Sequence, residues 1–123
     1  MNIHYEIIGG GNTIVFLHGW GANKDFMQPL VSILSKQYKC VNFDLFGFGM
    51  TDEIEDYLSF DHYVEYFHMF LLEHQIEKPI LIAHSFGARL AILYAERYPV
   101  SALILTGAAG IKAKLTIKKK IKQ

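Results

Sequence analysis

The stretch LIAHSFGARLA, residues 81–91, places a serine between an apolar run and a segment that is compatible with a helix. Residues 80–82 have the pattern of a short buried strand. A chain that turns sharply from strand to helix exposes the side chain at the bend, and small neighbours such as Ala83 and Gly87 let the two backbones approach. The pattern small-x-Ser-x-Gly therefore makes Ser85 a candidate nucleophile.

Length and composition bound the class of protein. The chain has 123 residues, enough for one domain with a single core, and its 51% hydrophobic and 20% charged residues are typical of a globular protein. Its apolar runs are too short to cross a bilayer, and its start lacks the pattern of a secretory signal. A single cysteine, Cys40, excludes an internal disulfide and favours the cytoplasm. We predict no cofactor and no metal.

The charges are divided unevenly along the chain. Residues 1–111 carry 6 basic and 12 acidic side chains, a net of −6, and the last dozen residues carry six lysines. A basic tail can bind nucleic acid or a membrane surface. This one has no aromatic residue for base stacking and follows an acidic chain, so we predict a solvated segment and no nucleic-acid partner.

Apolar runs alternate with helical stripes along the chain. This alternation predicts a mostly parallel sheet with helices on both faces, and such sheets form active sites beyond the carboxyl ends of their strands. The predicted strands cover residues 3–8, 13–18, 39–45, 79–83 and 101–107, and the predicted helices cover about 24–36, a segment capped by Ser59, and 86–98.

Two of the helices are predicted from apolar side chains that share one face. The first stripe comprises Phe26, Leu30, Ile33 and Leu34, and the second comprises Tyr63, Phe67, Phe70 and Leu71. The second helix also carries three histidines six residues apart, which do not share a face. We expect these to be surface or core residues rather than metal ligands; they are His62, His68 and His74.

A second motif, His18-Gly19-Trp20-Gly21, follows the strand TIVFL. An acyl-transfer serine needs backbone N–H donors directed at the oxyanion of the tetrahedral intermediate. A glycine-flanked loop from a neighbouring strand can direct one, so we predict that the Trp20 N–H does so and that His18 braces the loop. The alternative is a simple turn between a strand and a helix.

Together these motifs resemble the α/β-hydrolase superfamily, in its branch of short esterases, lipases and proline-iminopeptidase-like enzymes. The segments FLHGWG, NFDLFGFGMT, PILIAHSFGARLAILYAERYP and ALILTGAAGIK fall in the family's order over nearly the whole chain. The resemblance implies that Ser85 is the nucleophile and that the N–H groups of Phe86 and Trp20 form the oxyanion hole. It also implies that the strand of Val41 lies between the first two strands.

The same resemblance implies a loop beside the site, shaped by Asp44, Gly47 and Gly49. Two departures from the family pattern are mild, since Ala83 stands for the commoner glycine and Thr51 for the commoner serine.

The serious departure lies after Ser85. No histidine follows it, and the only acidic residue that does is Glu96, inside a predicted helix. Without a base the serine keeps its proton at neutral pH and is a poor nucleophile. A dyad of His18 with Ser85 is the weaker alternative, because no carboxylate is evidently placed to hold the imidazole.

The resemblance also implies a domain organisation. Residues 1–110 correspond to the N-terminal portion of the hydrolase core, truncated after its sixth family strand, and residues 111–123 are a basic tail resembling the start of a lid. The strand ALILTG is then expected to be an unpaired sheet edge, and one face of the sheet to lack a covering helix. We therefore expect self-association, or a complementary C-terminal half that binds at that edge.

Two functions follow as hypotheses. The first is a serine hydrolase acting on a carboxylic ester or related acyl substrate, incomplete as this chain alone. The second is a catalytically dead remnant or binding module that retains the hydrolase sheet and pocket. The serine itself argues against epoxide hydrolases and haloalkane dehalogenases, which use a carboxylate nucleophile.

Overall fold

The computed structural model describes residues 5–18, 27–43, 60–84, 86–106 and 116–118. Strands and helices alternate along most of this length. In chain order they are β1 (Tyr5–Ile8), β2 (Thr13–Leu17), α1 (Gln28–Leu34), β3 (Lys39–Phe43), α2 (Phe60–Glu73), β4 (Ile80–His84), α3 (Phe86–Arg97), β5 (Ala102–Thr106) and β6 (Thr116–Lys118).

All six strands that the structure describes belong to one sheet with the order β1-β3-β2-β4-β5-β6. The four central strands are parallel, whereas β1 pairs antiparallel with β3 and β6 pairs antiparallel with β5. This confirms the predicted fold class, a mostly parallel sheet with helices on both faces. It also confirms that the strand of Val41 lies between β1 and β2, so the glycine-rich turn does not close a hairpin.

The expectation that β5 is an unpaired edge is wrong. Leu103, Ile104 and Leu105 pair with Lys118, Ile117 and Thr116, so the outermost strand on that side is β6. The physical reason is that a segment of the basic tail supplies backbone donors and acceptors to the groups that an edge strand leaves unpaired. Whether the rest of the tail belongs to a lid stays a prediction.

Helices α2 and α3 cover one face of the sheet, which we call the helix-pair face. Phe67 and Phe70 of α2 are fully buried there, together with Leu81 of β4 and Leu90 of α3. The predicted stripe of α2 is confirmed, since Tyr63 packs against the same cluster and Leu71 lies inside it.

Helix α1 lies on the opposite face, which we call the α1 face. Val31 and Met27 are buried there against Phe16 and Cys40, and Leu34 packs at the rim of this cluster. The predicted stripe is therefore wrong in part: Leu30 is 41% exposed and Ile33 is 65% exposed. So many residues of this segment are apolar that spacing alone did not distinguish the face that touches the sheet; Phe26 lies outside the described residues.

None of the helices that the structure describes is both long enough and apolar enough to cross a membrane. Within the same residues, no group of three or more histidine, cysteine or acidic side chains could hold a metal ion.

Candidate active site

The parallel strands bring the candidate motifs to one edge of the sheet. Leu17, His84 and Thr106 end β2, β4 and β5, and these three strands are neighbours with their carboxyl ends on the same side. In open parallel sheets the crevice outside these ends is where ligands bind. The loops that follow β2 and β4 are those that contain Trp20 and Ser85.

The connection between β4 and α3 is a single residue. The strand ends at His84 and the helix begins at Phe86, so position 85 alone joins them. Ser85 itself lies outside the described residues. The first N–H groups of a helix have no intrahelical partner and carry partial positive charge, and no acidic residue lies in the first turn of α3. This turn can therefore donate hydrogen bonds to developing negative charge.

Gly87 shows how closely α3 approaches the end of β2. A Cβ atom added at this position would lie 2.5 Å from the carbonyl oxygens of both Leu17 and His18. Real Cβ atoms essentially never come within 3.0 Å of another heavy atom, so only glycine fits without a shift of backbone. The start of the HGWG loop and the first turn of α3 are thus in direct contact.

His18 is fully buried at the end of β2. Its backbone carbonyl faces Gly87. Trp20 lies outside the described residues. So do the loop residues after β3 for which the sequence predicted a place beside the site, namely Asp44, Gly47, Gly49 and Thr51.

A contact that sequence reasoning missed ties β4 to β5 beside the candidate nucleophile. The Nδ1 atom of His84 lies 2.9 Å from the Oγ1 atom of Thr106, within hydrogen-bond distance. These two residues are partners in the parallel register, so their side chains leave the sheet on the same face. The signal was available in part, because His84 directly follows the predicted strand 79–83 and Thr106 is the last polar residue of the predicted strand 101–107.

The three histidines predicted for the second helix have separate surroundings, and His74 follows the last residue of α2. The ring of His68 stacks on Tyr98, with centroids 3.7 Å apart, and His74 meets the rings of Tyr5 and Phe70. His62 is exposed to solvent.

Aromatic and charged contacts fix α3 against α2, away from the carboxyl ends of the strands. Arg97 pairs with Asp61 and Glu65, and the Tyr98 hydroxyl lies 3.1 Å from a Glu65 carboxylate oxygen. Burial, reinforced by the neighbouring charge of Tyr98, raises the pKa of Tyr94 to about 12. The ion pairs hold the pKa of Arg97 above its ordinary value, chiefly through the hydrogen bond to Asp61.

The sequence profile of the alpha/beta hydrolase fold family matches residues 12–121. The chain belongs to the α/β-hydrolase family. Two curated relatives are similar in sequence to most of this chain. The pimeloyl-[acyl-carrier protein] methyl ester esterase of Shewanella woodyi is 37% identical over 98 residues, and the proline iminopeptidase of Saccharolobus solfataricus is 32% identical over 107 residues. Each alignment covers 80% of this α/β-hydrolase chain.

A solved structure has the same fold. The esterase EaEST from Exiguobacterium antarcticum superimposes with a TM-score of 0.81 and 28% identity over 88% of this chain, which is 42% of the esterase. The chain spans 36% of the length of the methyl ester esterase and 34% of the iminopeptidase. This α/β-hydrolase chain therefore corresponds to less than half of each of these proteins.

Proposed function

We propose that this α/β-hydrolase chain is the nucleophile-bearing part of a serine hydrolase acting on a carboxylic ester or related acyl substrate. The observation that carries the proposal is the one-residue connection between β4 and α3, together with the contact between the first turn of α3 and the end of β2 at Gly87. The relatives support the substrate class, since one of them is named a methyl ester esterase.

In the proposed reaction, Ser85 Oγ attacks the ester carbonyl carbon and loses its proton to a base. The alcohol leaves, and water then hydrolyses the acyl-serine to release the acid and restore the hydroxyl. The N–H groups of Phe86 and Trp20 stabilise the oxyanion of each tetrahedral intermediate. The position of Phe86 as the first residue of α3 supports its part, because its N–H has no partner within the helix.

We assign His18 a bracing role rather than that of the base. Its complete burial supports this assignment, since a general base must reach the proton it removes. The base and its orienting acid are then supplied by a C-terminal half of the hydrolase, bound at the β6 edge of the sheet. The lack of any histidine after position 84 and the exposed position of Glu96 on α3 support a source outside these 123 residues.

A catalytically dead remnant or binding module is the second candidate. The same lack of a histidine after Ser85 favours it, because a serine without a base retains only the modest effect of the oxyanion hole and of binding. In either case we place the protein in the cytoplasm, which its single buried cysteine, Cys40, supports.

A fluorophosphonate probe separates the two candidates. The purified chain is expected to label slowly at Ser85, and Ser85→Ala is expected to lose all labelling. Ser32→Ala removes an exposed hydroxyl on α1 and serves as the matched control, which should label like the wild type. Mass spectrometry locates the adduct, and circular dichroism checks that each variant is folded. Equal labelling of the wild type and Ser85→Ala, including none in either, contradicts the hydrolase and favours the remnant.

A further inference from the structure

The hydrogen bond between His84 and Thr106 lies on the α1 face of the sheet. Side chains alternate between the two faces along a strand. Ile82 and Ile104, two residues earlier on β4 and β5, pack in the cluster of the α1 face. The side chains of His84 and Thr106 therefore project on that face as well. Helix α3 packs on the opposite face, where Leu90 is buried, so the bond is made on the side of the sheet away from the helix that follows it.

This polar pair has a particular place in the ladder between β4 and β5. Of the five register pairs that the structure describes between these strands, the four before it are apolar, from Ile80 with Ala102 to Ala83 with Leu105. Apolar contacts are non-directional, whereas a hydrogen bond restricts both distance and angle. The directional contact therefore falls at the last pair, directly before the one-residue connection.

The connection is held on its other side by α3. A Cβ atom added at Gly87 would lie 2.5 Å from two carbonyl oxygens at the end of β2, so the first turn of α3 lies against that strand. The Nδ1 atom of His84 lies 2.9 Å from Thr106 Oγ1 at the end of β5. A single residue, at position 85, separates the end of β4 from the start of α3. A change at either contact is therefore transmitted to the backbone at that position.

We propose that His84 is a positioning residue of the hydrolase, whose hydrogen bond to Thr106 fixes the end of β4 and with it the backbone of residue 85 and the first N–H groups of α3. It acts through the backbone and transfers no proton. The inference rests on the proposed function, in which Ser85 attacks the substrate and the Phe86 N–H stabilises the oxyanion. A misplacement of about 1 Å can cost a reaction about a hundredfold in rate, so we expect the loss of one of two anchors to cost about tenfold.

The hydroxyl of Thr106 is the partner to remove, because the change can be nearly isosteric. Thr106→Val keeps the branched shape of the side chain and removes the hydrogen-bonding oxygen. The fluorophosphonate probe is expected to label this variant about tenfold more slowly than the wild type. The maximal labelling rate should fall while the probe concentration that gives half of it stays the same, because the hydroxyl acts on the position of the serine and not on the probe. Thr106→Ser keeps the oxygen and should restore most of the rate.

Ser101→Ala is the matched control. Its hydroxyl donates a hydrogen bond of 2.6 Å to the Lys78 carbonyl just before the opposite end of β5, and its removal should leave labelling like that of the wild type. Thr106 is half-buried at the end of a strand, so the valine leaves the fold intact, which circular dichroism verifies.

Amide NMR spectra report the same position without any reaction. The signals of Phe86 and Gly87 are expected to shift in Thr106→Val and to stay close to those of the wild type in Thr106→Ser and Ser101→Ala. This readout depends on the anchor at the end of β4 and not on the reactivity of the serine.

The two measurements separate failure of this inference from failure of the proposed function. Labelling of Thr106→Val as fast as that of the wild type overturns the positioning role and leaves the proposed function intact. So does a slower rate that Thr106→Ser does not restore, or one that comes from weaker probe binding alone. A wild type that is never labelled overturns the proposed function instead. The amide signals then decide, since Phe86 and Gly87 signals that Thr106→Val leaves unchanged overturn the anchor as well.

Discussion

The two faces of the sheet are built from the same kinds of apolar side chain, but they are covered to different extents. On the helix-pair face, α2 and α3 contribute 14 and 12 residues and enclose a continuous core that reaches from β3 to β5. On the α1 face, a helix of seven residues covers a smaller cluster and leaves Ile80 and Ile104 partly exposed. The helix that follows position 85, α3, therefore packs on the face whose core is more completely covered.

Gly87 lies where α3 contacts the end of β2. We expect its substitution to lower the free energy of unfolding more than any other change considered. The added methyl of Gly87→Ala meets two backbone oxygens at 2.5 Å, which no change of rotamer relieves. The free energy of unfolding should fall by about 4 kcal/mol or more, measured by urea denaturation followed by circular dichroism.

Gly10→Ala is the control for this substitution, because no heavy atom lies within 4 Å of the Cβ position at Gly10. Its free energy of unfolding should stay within about 0.5 kcal/mol of the wild type. If Gly87→Ala is as stable as Gly10→Ala, the first turn of α3 does not press on the end of β2.

A pair of phenylalanine truncations compares the two faces directly. Phe67 lies in the enclosed core of the helix-pair face and Phe16 in the smaller cluster of the α1 face, and both are fully buried. Phe67→Ala should cost about 4 kcal/mol of stability and Phe16→Ala about 3 kcal/mol, because a void near an open rim collapses more readily. Denaturant unfolding of both variants in dilute solution measures the difference. Equal costs, or the reverse order, would mean that the α1 face is covered as completely as the other.

The pH dependence of stability tests how completely a side chain is buried on the helix-pair face. Burial raises the pKa of Tyr94 from its ordinary value of 10.0 to about 12, so the folded state keeps the phenol proton after the unfolded chain has lost it. The contribution is fully present below pH 10, and it is lost as the pH rises towards 12. The free energy of unfolding should fall by about 2–3 kcal/mol over this window.

Tyr94→Phe removes that contribution and should flatten the fall between pH 10 and 12. Some of the fall should remain, because burial also raises the pKa of Tyr63 and Tyr98. Both proteins are compared by urea denaturation at pH 8 and at intervals up to pH 12. A slope that is unchanged in Tyr94→Phe would show that this phenol is not buried in the folded protein.

Much of the fold was predictable from local patterns in the sequence. The strands around Val15, Val41 and Leu81 are short apolar runs bounded by glycine or polar residues, and their positions agree with the structure within one or two residues. Strand order did not follow from periodicity, since the turn at Gly9–Asn12 favours a hairpin. The family resemblance supplied it.

The remaining features depend on contacts that no local pattern encodes. The face of α1 was misassigned because Leu30, Val31, Ile33 and Leu34 are all apolar, and only the packed sheet selects Val31. The pairing of the lysine-rich tail with β5 depends on backbone groups rather than on side chains. The roles of Ser85, Trp20 and Phe86 were predicted from motifs alone and stay predictions.

The short strand β6 affects the rate at which a strand from another polypeptide can pair with β5. Its three residues occupy the backbone groups of β5 that an incoming strand needs, and they are tethered to β5 within the same chain. A free polypeptide therefore competes with an intramolecular neighbour at high effective concentration, and it gains access only while that neighbour is detached. Pairing of another strand directly with β5 therefore requires that these three residue pairs open.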